Sequence, residues 1–134
     1  MIRLDGLRVL VVDNEEDTLV LVSEVLQMHG ADVSAALSVK DALTLFELAL
    51  PHVIVSDIGM PIEDGYAFIR RIRALPPAGG GGIPAIALTA YAAVTDAQQA
   101  LDAGFQLHLR KPVELAELVA HVERLGRRLS GSDA

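Results

Sequence analysis

One short stretch decides the fold: residues 52–61, HVIVSDIGMP. Its first half is apolar and rich in β-branched residues, which is typical of a buried strand. The strand ends at Asp57, and a glycine and a proline then lead the chain into a loop. In open α/β sheets, ligands bind and chemistry takes place at the carboxyl edge. Taken alone, Asp57 is more simply an ordinary surface acid, but the rest of the chain favours a functional role.

The composition of the chain excludes several classes of protein. With 134 residues, 51% of them hydrophobic, the chain can form one domain over residues 1–134. We expect its core to span about residues 7–128, with a polar tail over 129–134. The absence of cysteine excludes disulfides and thiolate zinc sites, and a formal net charge of −7 argues against direct binding of nucleic acid. No stretch predicts membrane insertion or a secretory signal, so we expect a cytoplasmic protein.

Strands and helices alternate along the chain. Apolar runs predict five strands, over residues 7–12, 32–36, 52–57, 83–88 and 105–110. After each strand, apolar residues recur at helical spacing. Such alternation predicts an α/β fold with a parallel sheet covered by helices on both faces. A doubly wound five-stranded sheet with strand order 2-1-3-4-5 is the natural topology.

Local signals predict where helices begin and which residues face solvent. Asp17 is the predicted N-cap of the first helix, and Gly30 is its predicted end. Ser38 is predicted to cap the second helix. The third helix is expected to turn three arginines toward solvent: Arg70, Arg71 and Arg73. Residues 76–82, PPAGGGG, predict a flexible connection rather than a phosphate cradle, because no Lys-Ser/Thr follows and a strand comes next.

Four strands end in residues that could carry chemistry: Asp13, Asp57, Thr89 and Lys111. A parallel sheet would bring these strand ends to one edge. Two clustered carboxylates need a countercharge, and Mg²⁺ prefers oxygen ligands of this kind. Lys111 could then bind a phosphoryl oxygen, and Asp57 could act as the nucleophile that forms an aspartyl phosphate. Each residue alone has a simpler interpretation, as a cap, a strand-end hydroxyl or a loop lysine, but their joint position favours the site.

The motifs at these strand ends are distinctive: VLVVD at 9–13, SDIGMP at 56–61, DG at 64–65, LTA at 88–90 and KP at 111–112. With them, the chain resembles the CheY-like receiver domain of two-component response regulators over about residues 8–125. The resemblance implies a flavodoxin-like fold and a place in a phosphorelay. Such a domain catalyses its own phosphorylation and dephosphorylation without being a conventional enzyme.

The same resemblance implies a role for each site residue. Asp57 would accept a phosphoryl group from the phosphohistidine of a histidine kinase or a histidine phosphotransfer protein. Asp13, Asp57 and the backbone carbonyl of Gly59 would hold Mg²⁺. Lys111 would contact the phosphate, and the Lys111–Pro112 peptide bond would be cis.

Asn14 departs from the family pattern, which has two adjacent acids after the first strand. Its neutral carbonyl oxygen can still ligate the metal or orient a water, but the site loses one negative charge. The substitution therefore predicts weaker Mg²⁺ binding rather than its absence. The acids that follow, Glu15 and Glu16, could compensate, and the sequence leaves the choice between them open.

The resemblance also implies a switch. Thr89 would move toward the phosphate, and the ring of His108, where Tyr or Phe is common, would swing between exposed and buried rotamers. Phosphorylation would then bias a surface formed by the fourth helix, fifth strand and fifth helix. That surface would contact a downstream protein target or a fused kinase. A static His108 with satisfied hydrogen bonds is the simpler alternative.

Three other functions stay open at this point. A degenerate receiver, which binds partners without being phosphorylated, is favoured only by Asn14. A flavodoxin-like cofactor binder needs a first loop that binds phosphate and is rich in Ser, Thr or Gly. Here residues 13–17 are DNEED, whose negative charges repel phosphate unless a cation intervenes. A phosphatase of the haloacid dehalogenase type needs an acid where Gly59 stands. The context is open too, between a stand-alone receiver and the receiver of a hybrid sensor histidine kinase, which GFQLHLRKP at 104–112 slightly favours.

Overall fold

The computed structural model describes residues 2–60, 64–90 and 94–131, without the side chains of 94–96 and 128–131. Pro61 of the opening stretch and residues 132–134 of the expected tail lie outside the described residues. The strands are β1 (Arg8–Val12), β2 (Asp32–Ala36), β3 (Val53–Asp57), β4 (Ala85–Thr89) and β5 (Leu107–Arg110). The helices are α1 (Glu16–Met28), α2 (Val39–Leu48), α3 (Gly65–Arg73), α4 (Val94–Ala103) and α5 (Leu115–Gly131), with a short 3₁₀ turn at Pro77–Gly79.

The five strands form one parallel sheet in the order β2-β1-β3-β4-β5, which confirms the predicted topology. The register aligns the carboxyl ends of the central strands. Val12 pairs with Ser56, and Asp57 pairs with Leu88. Asp13, Asp57 and Thr89 therefore lie at one edge of the sheet, and their positions along the strands differ by no more than one residue.

The core lies in two layers, one on each face of the sheet. Val9 and Val11 of β1 pack with α1 and α5, whereas Leu10 and Val12 pack with α2, α3 and α4. Because both faces are covered, the central strands carry continuous apolar runs rather than alternating ones. Among the described residues, no helix combines the length and the apolar character needed to cross a bilayer.

The helix ends agree only partly with the sequence prediction. The prediction of Asp17 as an N-cap is wrong: the N-cap is Glu15, two residues earlier, so α1 begins at Glu16, and no side-chain hydrogen bond caps it. Asp17 lies in the first turn, where its negative charge suits the helix dipole. The predicted cap at Ser38 is confirmed, because its Oγ accepts a hydrogen bond from the backbone N–H of Asp41 at 3.1 Å. At the other end of the chain, α5 continues to Gly131, into the segment predicted as a polar tail.

Residues 76–82 form a compact turn rather than a flexible connection. The backbone N–H of Gly81 donates to the carbonyl of Pro76 at 3.2 Å, and Gly80 and Gly81 are buried. Gly80 has a φ of 95°, a left-handed conformation that glycine adopts without strain. The turn precedes β4 and so lies at the edge of the sheet opposite Asp57, as the sequence predicted.

Arg73 does not face solvent, contrary to the prediction from helical spacing. Its guanidinium is half-buried and donates to the carbonyls of Gly81 at 2.9 Å, Ile83 at 2.7 Å and Gly104 at 2.9 Å. It also donates to the side chain of Gln106 at 3.0 Å. Arg73 therefore joins the end of α3 to the turn before β4 and to the connection between α4 and β5.

Candidate phosphoryl and metal site

β3 carries Asp57 to the carboxyl edge and holds its carboxylate in place. Asp57 is 5% exposed, and its Oδ1 accepts a hydrogen bond from the backbone N–H of Gly59 at 3.3 Å. The first residue of α3, Gly65, packs directly on this strand end, and its N–H donates to the carbonyl of Ile58 at 2.9 Å. A Cβ at Gly65 would collide with the carbonyl oxygen of Asp57. Only glycine lets α3 begin this close to the site.

Asp13 follows β1 and is completely buried. Its backbone N–H extends the sheet by donating to the carbonyl of Ala36 at 3.1 Å. Its Oδ1 accepts a hydrogen bond from the backbone N–H of Glu15 at 2.8 Å, which bends the loop around the carboxylate. Its other oxygen, Oδ2, receives no well-aligned hydrogen bond among the described residues and is balanced by the ammonium of Lys111 at 2.9 Å.

The Lys111 ammonium lies among three carboxylates. Its Nζ is 2.8 Å from Oε1 of Glu15, 2.9 Å from Oδ2 of Asp13 and 3.4 Å from Oδ1 of Asp57. The backbone N–H of Lys111 donates to the carbonyl of Thr89 at 2.7 Å, which ties the end of β5 to the end of β4. The Lys111–Pro112 peptide bond is cis, as the resemblance implied.

The charges in this cluster perturb one another. Burial raises the pKa of Asp13, and the nearby Asp57 carboxylate adds to that effect while the Lys111 ammonium opposes it. Burial by itself lowers the pKa of Lys111, but its hydrogen bond to Glu15 and its charge contacts with Asp13 and Asp57 outweigh that effect, so the pKa is raised. The hydrogen bond from Lys111 also lowers the pKa of Glu15. Lys111 is therefore a permanent cation at this edge.

The two residues predicted to switch lie on β4 and β5. Thr89 is the last residue of β4 and is 3% exposed. His108 lies on β5, where it pairs with Ala87, and is half-buried. Its Nε2 is buried and has no hydrogen bond to the residues that the structure describes.

The carboxylates of Asp13, Glu15 and Asp57 have oxygen atoms that all lie within 4.8 Å of one another. Hard oxygen donors in this number suit Mg²⁺, so the residues present fit the metal that the family resemblance implied. The predicted ligand Asn14 is exposed, as Glu15 is. Sequence reasoning named Glu15 only as one of two possible compensating acids, because the hydrogen bond from its backbone N–H to Asp13, which bends the loop, is not visible in the sequence.

Comparison with known proteins decides the family. The family model described as the response regulator receiver domain matches residues 9–123. The chain belongs to this family. An uncharacterized 14.6 kDa protein of Leptolyngbya boryana is 47% identical to it over 116 residues, which are 87% of each chain. The transcriptional regulatory protein PrrA of Mycobacterium leprae is 39% identical over 121 residues, and the match covers 90% of this receiver domain but 50% of PrrA.

Solved structures agree with the family assignment. The receiver domain of the Francisella response regulator 1452 matches with a TM-score of 0.84 and 27% identity, over 92% of this chain and 99% of that one. Receiver domains of two-component systems interact with histidine kinases and downstream effectors, and they generally bind Mg²⁺. The acidic cluster of this receiver domain fits that general property.

Proposed function

We propose that this receiver domain accepts a phosphoryl group on Asp57, in the presence of Mg²⁺, from the phosphohistidine of a histidine kinase or a histidine phosphotransfer protein. The observation that carries the proposal is the Lys111 ammonium, 3.4 Å from Oδ1 of Asp57 and 2.9 Å from Asp13. A fixed cation beside a strand-end carboxylate provides the charge neutralisation that phosphoryl transfer needs.

The transfer exchanges one bond to phosphorus for another. A carboxylate oxygen of Asp57 attacks phosphorus, the bond from phosphorus to the donor imidazole nitrogen breaks, and an acyl phosphate forms. Bound Mg²⁺ supplies additional positive charge for the phosphoryl oxygens. Lys111 binds one of those oxygens as a point charge, and the hydroxyl of Thr89 donates a hydrogen bond to another. Asp13, Asp57 and the carbonyl of Gly59 would hold the metal. Because Asn14 is neutral, we expect the wild-type protein to bind Mg²⁺ more weakly than Asn14→Asp does.

The second half of the proposal is a switch in the surface formed by α4, β5 and α5. Thr89 connects the site to this surface, because its carbonyl accepts a hydrogen bond from the Lys111 N–H at the end of β5. A shift of Thr89 toward the phosphoryl group would change the space next to β5, where His108 is half-buried. The surface would then contact a downstream protein or a fused kinase with altered affinity.

Intact mass after incubation with acetyl phosphate and Mg²⁺ tests the proposed acceptor. We expect one phosphoryl adduct on the wild type and on Asp32→Asn, and none on Asp57→Asn. Asp32 is a matched control because it is an exposed aspartate at the start of β2, at the opposite edge of the sheet. Absence of the adduct from the wild type, together with no binding of beryllofluoride, would contradict the proposal and favour a degenerate receiver.

A further inference from the structure

If only its buried acids are counted, the site has one negative charge fewer than it needs to neutralise a divalent cation. Asp13 and Asp57 carry two negative charges, and Lys111 offsets one of them. Asn14, next in sequence to Asp13, is neutral and exposed. The remaining single negative charge is a weak counterpart for a divalent cation. With Glu15 included, the group carries a net charge of −2, which would neutralise the +2 charge of Mg²⁺.

In the structure, Glu15 and the two buried acids already contact the same cation, the ammonium of Lys111. Its Oε1 is 2.8 Å from the Lys111 ammonium, which also contacts Asp13 at 2.9 Å. All three carboxylates offer an oxygen within 4.8 Å of the others, a spacing that one metal ion can bridge. The backbone N–H of Glu15 donates to Oδ1 of Asp13 at 2.8 Å, which holds the loop beside the site. The Glu15 side chain contacts the Lys111 ammonium and is 63% exposed.

We propose that Glu15 replaces the acid that is missing at Asn14 and serves as the third carboxylate for Mg²⁺, beside Asp13 and Asp57. This inference rests on the proposed function and concerns only which residue completes its metal site. Glu16 is not the replacement, because it lies in the first turn of α1 and is not one of the three clustered acids. The third carboxylate of the metal site would thus come from position 15 instead of position 14.

Isothermal titration of the folded protein with Mg²⁺ tests the inference without any measurement of activity. We expect Glu15→Gln to lower the Mg²⁺ affinity about tenfold or more, as loss of a supporting metal-site residue commonly does. Glu16→Gln removes the same charge from the neighbouring residue and is expected to change the affinity by less than about twofold, because solvent and salt screen it. Equal effects of the two substitutions would overturn the inference.

Two further variants separate direct binding from an indirect effect through Lys111. In a Lys111→Met background, Glu15→Gln should still lower the affinity about tenfold. If the effect disappears there, Glu15 acts only by holding the ammonium, and the inference is overturned. In Asn14→Asp/Glu15→Gln the acid returns to its usual place, and the affinity should recover to at least the wild-type value. Failure to recover, in a variant whose circular dichroism and thermal unfolding match the wild type, would also overturn it.

The same titration distinguishes the inference from the proposed function. A wild-type protein that binds Mg²⁺ but is indifferent to Glu15→Gln contradicts the role of Glu15 and leaves the proposed function intact. A wild-type protein that binds no Mg²⁺ contradicts both.

Discussion

Gly65, the first residue of α3, lies against the backbone of the proposed acceptor. Its N–H donates to Ile58, and any side chain there would meet the carbonyl oxygen of Asp57. The sequence motif DG at 64–65 predicts a turn into a helix, and that prediction is confirmed: the side chain of Asp64 caps α3 by accepting from the N–H of Ala67 at 2.9 Å. What the motif alone does not reveal is the close approach, because it depends on two segments separated along the chain.

Gly65→Ala should therefore both destabilise the fold and disturb the site. Forcing a methyl group into packed backbone costs about 1–3 kcal/mol, and the displaced Asp57 should be phosphorylated more slowly by acetyl phosphate. Urea unfolding and intact mass measure the two effects. Gly82→Ala is the matched control, since a Cβ there meets nothing within 4 Å; it should be neutral or stabilising by up to about 1 kcal/mol. Equal behaviour of the two variants would contradict this explanation.

His52 provides a pH-dependent contact at the opposite edge of the sheet. Its Nδ1 accepts a hydrogen bond from the backbone N–H of Arg8 at 2.9 Å, which requires an unprotonated nitrogen. Burial lowers the pKa of His52 below the ordinary 6.5, and Arg8 and Arg127 add to that effect. The unfolded chain therefore takes up the proton first as the pH falls. The stabilisation by this contact is complete above about pH 6.5 and is lost as the pH falls through the lowered pKa.

We expect the wild type to lose more stability than His52→Asn between about pH 8 and about pH 5. The amide oxygen of Asn can accept the same hydrogen bond but does not titrate. Urea unfolding of both proteins at several pH values measures the difference. Parallel pH profiles for the two proteins would show that His52 contributes nothing to the pH dependence.

Between elements, Arg73 carries contacts that the helical pattern of α3 does not predict. Spacing places an arginine on the outer face, but the turn before β4 and the connection after α4 both fold back toward it and offer three carbonyl oxygens. The strands themselves were easier to predict, since each is a short β-branched run whose burial on both faces leaves a continuous apolar pattern. Contacts made by loops depend on how the assembled elements pack, which no local pattern records.

Arg73→Met should lower the free energy of unfolding by about 2 kcal/mol or more, because several carbonyls lose a charged donor. Arg70→Met is the control on the same helix, where the arginine is exposed; its effect should stay within about 0.5 kcal/mol. Chemical denaturation of both variants gives the comparison. A loss no larger for Arg73→Met than for Arg70→Met would mean that these hydrogen bonds do not hold the two connections together.

At the level of the whole molecule, the sheet explains why residues far apart in sequence form one site. Parallel strands in the order 2-1-3-4-5 bring Asp13, Asp57 and Thr89 to one edge, and the end of β5 adds Lys111. That much follows from the sequence, because strand direction and order determine where strand ends meet. The choice between Glu15 and Glu16 does not follow, since it depends on the bend of one loop.

The most direct test is to locate the phosphoryl group. Borohydride cleaves an aspartyl phosphate and reduces its carbonyl carbon to the alcohol of homoserine, which peptide mass spectrometry identifies by position. After incubation with acetyl phosphate and Mg²⁺, we predict homoserine at position 57 and at no other aspartate. A phosphorylated protein that carries homoserine elsewhere, or none at all, would contradict the assignment of Asp57 as the acceptor.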